Sequence, residues 1–264
     1  MARRPGRILR ISLAGLVAAA FVGTSTAATA APAGKPRTLR ILVSNDDGYA
    51  APGIDALVEA LRELPRVKVT VVAPAENQSG AGDRTSSPPP DVVSKTETAS
   101  GYPALAVSGT PADSVLEVRD KRFFERLHLV ISGINEGQNL GPVVDISGTV
   151  GAARTAAREG IPAVAVSQGV GEPPDYAAGA EAAVAWVKEH RQALVRGGVD
   201  ATTVVNINVP TCPTGEVRGE IEVPASPTGD AGTASDCTSR LEDPPDDIVA
   251  FANGYVTLSE IPTR

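Results

Sequence analysis

Histidine is nearly missing from this 264-residue chain: His128 and His190 are the only two. His128 lies in an apolar run and His190 at the end of a helical stretch, which marks both as structural. A Ser-His-Asp triad therefore lacks material, and no Gly-x-Ser-x-Gly elbow occurs, so a metal-independent serine esterase ranks last among the readings. Zinc held by imidazole is disfavoured on the same ground. Cysteine is as scarce, with Cys212 and Cys237 alone. Two thiols are too few for a structural zinc site. The apolar stretch Ile11 to Val22 falls short of the roughly 20 residues of a membrane span, so no stable span is expected. No solenoid repeat is present.

What the N-terminal region does contain has the layout of a secretory signal peptide. Arg3, Arg4, Arg7 and Arg10 form a basic start without acids, the apolar stretch follows, and Thr26-Ala27-Ala28-Thr29-Ala30 supplies small residues of the A-x-A kind. The expectation is cleavage near Ala30, a linker over residues 31–38 and a secreted or extracytoplasmic protein; Arg3-Arg4 followed by Pro5-Gly6 leaves the export route open. Removing residues 1–30 takes away four basic and no acidic residues, leaving 20 against 31, a net charge of −11. Such a chain does not bind duplex nucleic acid through a basic face. It can still process single nucleotides if a metal masks their phosphates. Export also makes a disulfide between Cys212 and Cys237 the expected state. It would staple a loop holding Gly215, Pro224, Pro227, Gly229 and Gly232.

Apolar runs alternate with helical periods. Strands are expected at Arg40–Ser44, Val67–Ala73, Ala104–Val107, Leu127–Ile131, Ala163–Ser167 and Thr203–Val209. Between them lie helical stretches from Ile54 to Leu64, Pro111 to Val118, Gly148 to Glu159 and Asp175 to His190. Pro74 to Pro90 and Gly133 to Asp145 read as loops. This alternation predicts an α/β fold, a Rossmann-like mainly parallel sheet with helices on both faces, over residues 39–210. From residue 211 to 264 Pro and Gly become frequent, and only short strands such as Glu220–Val223 and Ile248–Leu258 stand out. This reads as a C-terminal β-rich arm that would bury its apolar residues against a second subunit, in a homodimer or homotetramer.

Asn45-Asp46-Asp47-Gly48 follows the first strand directly. That puts two adjacent carboxylates at the carboxyl end of a buried strand, where open α/β sheets bind ligands. Neighbouring acids repel unless a cation lies between them, and hard oxygen donors favour magnesium, manganese or calcium. An Asp-Gly hairpin would need a partner strand after Gly48, but Pro52-Gly53 and a helix follow. Ser147-Gly148-Thr149 opens a helix, whose free N–H groups and two hydroxyls suit phosphate oxygens; Ser147 would equally serve as an N-cap. In Ser132-Gly133-Ile134-Asn135-Glu136-Gly137-Gln138-Asn139-Leu140-Gly141, three glycines four residues apart suit a loop wrapping a ligand, and the Asn carboxamides can ligate metal or donate to phosphate. Asn77-Gln78-Ser79-Gly80 follows the second strand, and Ser79 offers another hydroxyl.

Together with Ala51-Pro52-Gly53-Ile54, Val72-Ala73-Pro74, Ser108-Gly109-Thr110-Pro111-Ala112-Asp113 and Val150, these segments occur in an order that resembles the SurE-like family of metal-dependent 5′/3′-nucleotidases. The likeness runs from Leu39 to Pro210 and resumes at Asp246–Leu258 with Gly254-Tyr255-Val256. It implies a SurE-like fold, an arm exchanged between subunits, and one divalent cation per subunit, magnesium or manganese, held by Asp46, Asp47, Ser79 and Asn135. Asn45, Gly133, Asn139, Ser147, Gly148 and Thr149 would line the phosphate site. The implied activity is hydrolysis of nucleoside monophosphates, with Asp46 or Asp47 taking a proton from water and Asn139 steadying the phosphoryl charge. Ile146 stands where the family often has an aromatic residue, and Pro142-Val143 where acids are frequent; both concern the lining of the site, not metal ligation. The competing class is an exported, non-catalytic binding protein for phosphate or nucleotides.

Overall fold

The structure, a computed structural model, describes residues 37–90, 93–118, 127–232 and 234–263. The expected signal peptide and most of the linker lie outside the described residues. The strands are β1 (Leu39–Ser44), β2 (Val67–Pro74), β3 (Val93–Glu97), β4 (Pro103–Val107), β5 (Leu129–Glu136), β6 (Ala163–Gln168), β7 (Thr203–Val209), β8 (Glu220–Glu222) and β9 (Val256–Pro262). The helices are α1 (Pro52–Arg62), α2 (Pro111–Glu117), α3 (Gly148–Arg158), α4 (Tyr176–Leu194) and α5 (Asp247–Ala252). Among the described residues the strands form one sheet in the order β3-β4-β2-β1-β5-β6-β7-β9-β8. β4, β2, β1, β5, β6 and β7 run parallel, while β3 and β9 pair antiparallel at the two flanks.

The strands are buried on both faces, so alternate residues feed two cores. Leu39, Ile41 and Val43 of β1 face α1 and α4, packing on Ile54, Leu57, Leu61, Ala183 and Val187. Leu42 faces α3, joining Val130, Val150, Ala153 and Ala156. The spacing of Ile54, Leu57, Val58 and Leu61 gives α1 one apolar stripe, and all four are buried. The chain leaves β1 for β2 on one side and for β5 on the other, so the topological switch point lies between β1 and β5. The two faces also receive the helices that follow: α1 on one, α3 on the other.

Three expected boundaries differ. β3 carries no sequence signal, because Val93-Ser94-Lys95-Thr96-Glu97 is a mostly solvated edge strand with no apolar alternation; charged residues on such an edge discourage further pairing. The glycine-rich segment from Gly133 is not all loop. β5 continues to Glu136 because pairing with β6 resumes at Asn135↔Ser167 and Glu136↔Gln168 after a register shift, and Gly141–Asp145 forms a 3₁₀ turn. The strand expected at Ile248–Leu258 is instead α5 followed by β9. Asp246 caps α5 by accepting from the Val249 N–H at 2.9 Å, and Gly254, at φ +84°, turns the chain.

The C-terminal segment joins the main sheet through β9 and β8, and Phe251, Leu258 and Ile261 bury within the same chain. Cys212 and Cys237 form the disulfide, with Cα atoms 5.7 Å apart. Replacing both cysteines by serine is expected to cost about 3 kcal/mol for a loop of this length. The corresponding Tm drop, roughly 6–12 °C, is measurable by calorimetry. The two histidines are structural: the Arg40 N–H donates to His128 Nδ1 at 3.1 Å, and the His190 ring stacks on Trp186 at 4.2 Å.

Candidate metal and phosphate site

Asp46 and Asp47 leave the end of β1 at the switch point. Asn45 shapes their turn: its carboxamide donates to the Gly48 carbonyl at 2.9 Å and accepts from the Gly48 N–H at 3.2 Å. Asp46 is buried, and its Oδ1 accepts from the Thr149 hydroxyl at 2.5 Å. Burial raises its pKa, against the lowering effect of Thr149 and the backbone amides of Gly148 and Thr149. Asp47 is more open. Its Oδ2 accepts from the Glu136 N–H at 3.2 Å and its Oδ1 from the Asn77 amide at 3.3 Å. Burial, and then the charge of Asp46, push Asp47 up to about 6.

The loop after β2 closes on this pair. The Gln78 N–H donates to the Asp46 carbonyl at 2.7 Å, and Asn77 Oδ1 accepts from the Ser79 N–H at 2.9 Å, leaving the Ser79 side chain exposed. Asp113 anchors the far end of that loop. It accepts from the Ser86 hydroxyl at 2.6 Å while completing the capping box of α2 with Thr110. Asn135 stands at the end of β5, next to the Glu136 amide that binds Asp47. Its Nδ2 donates to the Gly137 carbonyl at 2.5 Å, and its Oδ1 has no protein hydrogen bond among the described residues.

Asp46 and Asp47 after β1, Ser79 after β2 and Asn135 at the end of β5 are thus carried to one sheet edge. Among the described residues no group of three or more His, Cys, Asp or Glu is placed to hold a metal ion by itself, and the ion pairs formed there leave both Asp46 and Asp47 without a Lys or Arg. Two repelling carboxylates, a free carboxamide oxygen and a free hydroxyl are a hard-oxygen donor set, which fits a divalent cation of the magnesium or manganese type.

The start of α3 faces Asp46 closely. A Cβ on Gly148 would lie 2.7 Å from Asp46 Cβ and 2.8 Å from its Oδ2. The cradle expected for phosphate is therefore partly occupied by the protein's own carboxylate. Ser147, whose hydroxyl caps α3 by accepting from the Val150 N–H at 3.1 Å, borders the remaining opening. Three residues grouped with the phosphate site in sequence do local structural work. Asn45 braces its own turn. Gly133, at φ +139°, meets β6 so closely that a Cβ would sit 2.2 Å from the Val166 carbonyl. Asn139 is buried, donating from Nδ2 to the Ser167 hydroxyl at 2.9 Å. Sequence reasoning passed over Asn77, Glu136 and Tyr176. The first two lie inside segments already singled out. Tyr176, at the start of α4, carries no local signal; burial, then the charges of Glu136 and Asp47, push its hydroxyl up to about 12.

This fold and site define a class: Rossmann-like α/β proteins with paired carboxylates at the topological switch point. A family model described as Survival protein SurE matches residues 41–226, and the chain belongs to that family. A protein named 5′-nucleotidase SurE from Alkalilimnicola ehrlichii is 44% identical over 69% of this chain and 66% of its own length. One of the same name from Dehalococcoides mccartyi is 36% identical over 86% of this chain and 89% of its own. The match to the first thus spans slightly less than two thirds of that relative. The crystal structure of the SurE protein from Aquifex aeolicus superposes with a TM-score of 0.67 at 30% identity, covering 85% of this chain and 94% of that one.

Proposed function

We propose that this chain is a divalent-metal-dependent phosphomonoesterase that hydrolyses nucleoside 5′- or 3′-monophosphates to nucleoside and phosphate. The observation that carries the reading is the Asp46–Asp47 pair, unpaired with any basic side chain among the described residues and set against the α3 start, in a chain similar to proteins named 5′-nucleotidase. Asp46, Asp47, Ser79 and Asn135 would hold the metal. When bound, it supplies Lewis acidity at a phosphoryl oxygen and lowers the pKa of a nearby water.

The chain's own groups do the rest. Thr149 and the α3 amides fix Asp46 as an oriented carboxylate. Asp47, the more open of the two, takes the proton of the attacking water. The positive end of α3 and the Ser147 hydroxyl steady the negative charge gathered at its mouth. A covalent aspartyl-phosphate is disfavoured, because neither ligating carboxylate is left free to attack.

The test is phosphate release from a panel of nucleoside 5′- and 3′-monophosphates with manganese or magnesium. Turnover is expected with metal and its loss with chelator; full activity in chelator defeats the reading. We further propose that the protein works outside the cytoplasm and as an oligomer. The support for export is the basic, apolar and small-residue order of residues 1–30 together with the Cys212–Cys237 disulfide. The support for assembly is exposed Val217 and Leu241 on the C-terminal segment. Fractionation and light scattering test these points separately.

A further inference from the structure

Asp247 is a fully buried carboxylate with no part in the chemistry above. It lies at the start of α5, more than a hundred residues from the loop between β5 and α3, yet it binds that loop directly. Its Oδ2 accepts from the Gly141 N–H at 2.9 Å and its Oδ1 from the Ser226 N–H at 2.8 Å. Among the described residues it has no ion-pair partner, and burial raises its pKa. The Ile248 amide at the start of α5 also acts on the carboxylate; burying a charge on backbone amides without a basic partner is a poor way to gain stability, since an apolar residue of like volume would do better.

Around this contact the C-terminal segment grips the loop on several sides. Leu140 packs on Phe251 and Ala231. The Gln138 amide donates to the Ala231 carbonyl at 2.6 Å. Gly141, at φ +49°, approaches so closely that a Cβ would lie 2.7 Å from Ile248 Cδ1. From the sheet side, Asn206 and Asn208 both donate to the Asn139 carbonyl, at 2.8 and 3.2 Å. Gly141 opens the 3₁₀ turn, and the Val143 carbonyl of that turn accepts from the Ser147 N–H at 3.1 Å. A short, continuous path therefore runs from Asp247 through Gly141 to Ser147, Gly148 and the Asp46 carboxylate.

We propose that Asp247 is a positioning residue for phosphoryl hydrolysis: by holding the Gly141 amide, the C-terminal segment sets the loop that delivers Ser147 and the α3 start to the Asp46–Asp47 pair. The proposal rests on the phosphomonoesterase reading. Asp247→Asn keeps one acceptor but turns an NH₂ toward the second amide, so one of the two bonds is lost while the packing is kept.

In the full chain with manganese, Asp247→Asn is expected to lower kcat on adenosine monophosphate about tenfold or more, with KM and calorimetric manganese affinity within about twofold. Amide exchange at Gly141 is expected to accelerate about tenfold. Tyr255→Phe is the control within the same segment: its hydroxyl donates to the Leu241 carbonyl at 2.9 Å, and kcat should not change. A kcat for Asp247→Asn within twofold of the parent, or a loss that merely follows the unfolded fraction, overturns the proposal. If Asp247→Asn does not fold, Ile248→Ala relaxes the same contact without a buried charge and should lower kcat about threefold with the same exchange signature. An inactive parent would defeat the functional reading alone, since Gly141 exchange still reports whether Asp247 holds the loop.

Discussion

Asp47→Asn is expected to cut turnover by about 10³-fold while making the metal-free protein more stable. The first effect follows from removing the proton acceptor and half of the carboxylate pair. The second follows from the direction in which the site shifts this acid. Burial and Asp46 push Asp47 up to about 6 from an ordinary 3.8, so near neutral pH the folded state holds a carboxylate that costs more to ionise than it does in the unfolded chain. A raised acid pKa means the folded chain binds the proton more tightly than the unfolded one. Stability from this group is therefore lost as pH rises from about 4 through 6. Asparagine removes that cost and keeps an oxygen for the Glu136 N–H. After a discount for partial exposure the gain is about 1 kcal/mol, or 2–4 °C in Tm. It should be largest above pH 7 and vanish towards pH 4. Thermal unfolding of both proteins in chelator across that range, with phosphate release in manganese, checks both halves. A variant that is less stable at neutral pH, or still active, contradicts this account.

Gly148→Ala is expected to lower kcat/KM on the order of 10²-fold with Tm within a few degrees of the parent. Alanine at the first position of α3 is locally favourable for the helix. The added methyl, however, would stand 2.7 Å from Asp46 Cβ and 2.8 Å from Oδ2. Asp46 is buried and tied to Thr149, so it has no open space to swing into. Relief comes only by lifting the first turn of α3 or by turning the carboxylate, and either one separates the helix mouth from the metal ligands. Steady-state kinetics with calorimetric manganese titration should show loss of both turnover and metal affinity. Unchanged kinetics would mean that Asp46 is not held where the structure places it.

Much of the site was legible in sequence because its parts are local. Asp46-Asp47 directly after a strand, Ser147 before a helix and Asn135 in a glycine-rich segment each announce a loop at the carboxyl edge of a parallel sheet. Placement there follows from β/α alternation alone. What was not legible depends on partners distant in the chain. That the Thr149 hydroxyl donates to Asp46 shows only once α3 is seen to face that carboxylate. That Gly133 is also required by the close approach of the Val166 carbonyl shows only once β6 is placed against it. Asp247 reads as one acid among many until Gly141 and Ser226 are found on its two oxygens. The boundary misses have the same origin: β3 forms because β4 offers an open edge, and β5 runs on because β6 pairs with its last two residues.

By itself the sequence determined the α/β class, the first-strand carboxylates, the pairing of its two cysteines and the family to which the chain belongs. Hydrophobic period, turn residues and motif order are properties of neighbours along the chain. Only the tertiary structure decided that the α3 start holds Asp46, that burial and Asp46 raise the pKa of Asp47, and that the C-terminal segment grips the loop beside them. Those are relations between groups tens to hundreds of residues apart. Their energies come from burial and hydrogen bonds that exist only once the sheet has brought the groups together.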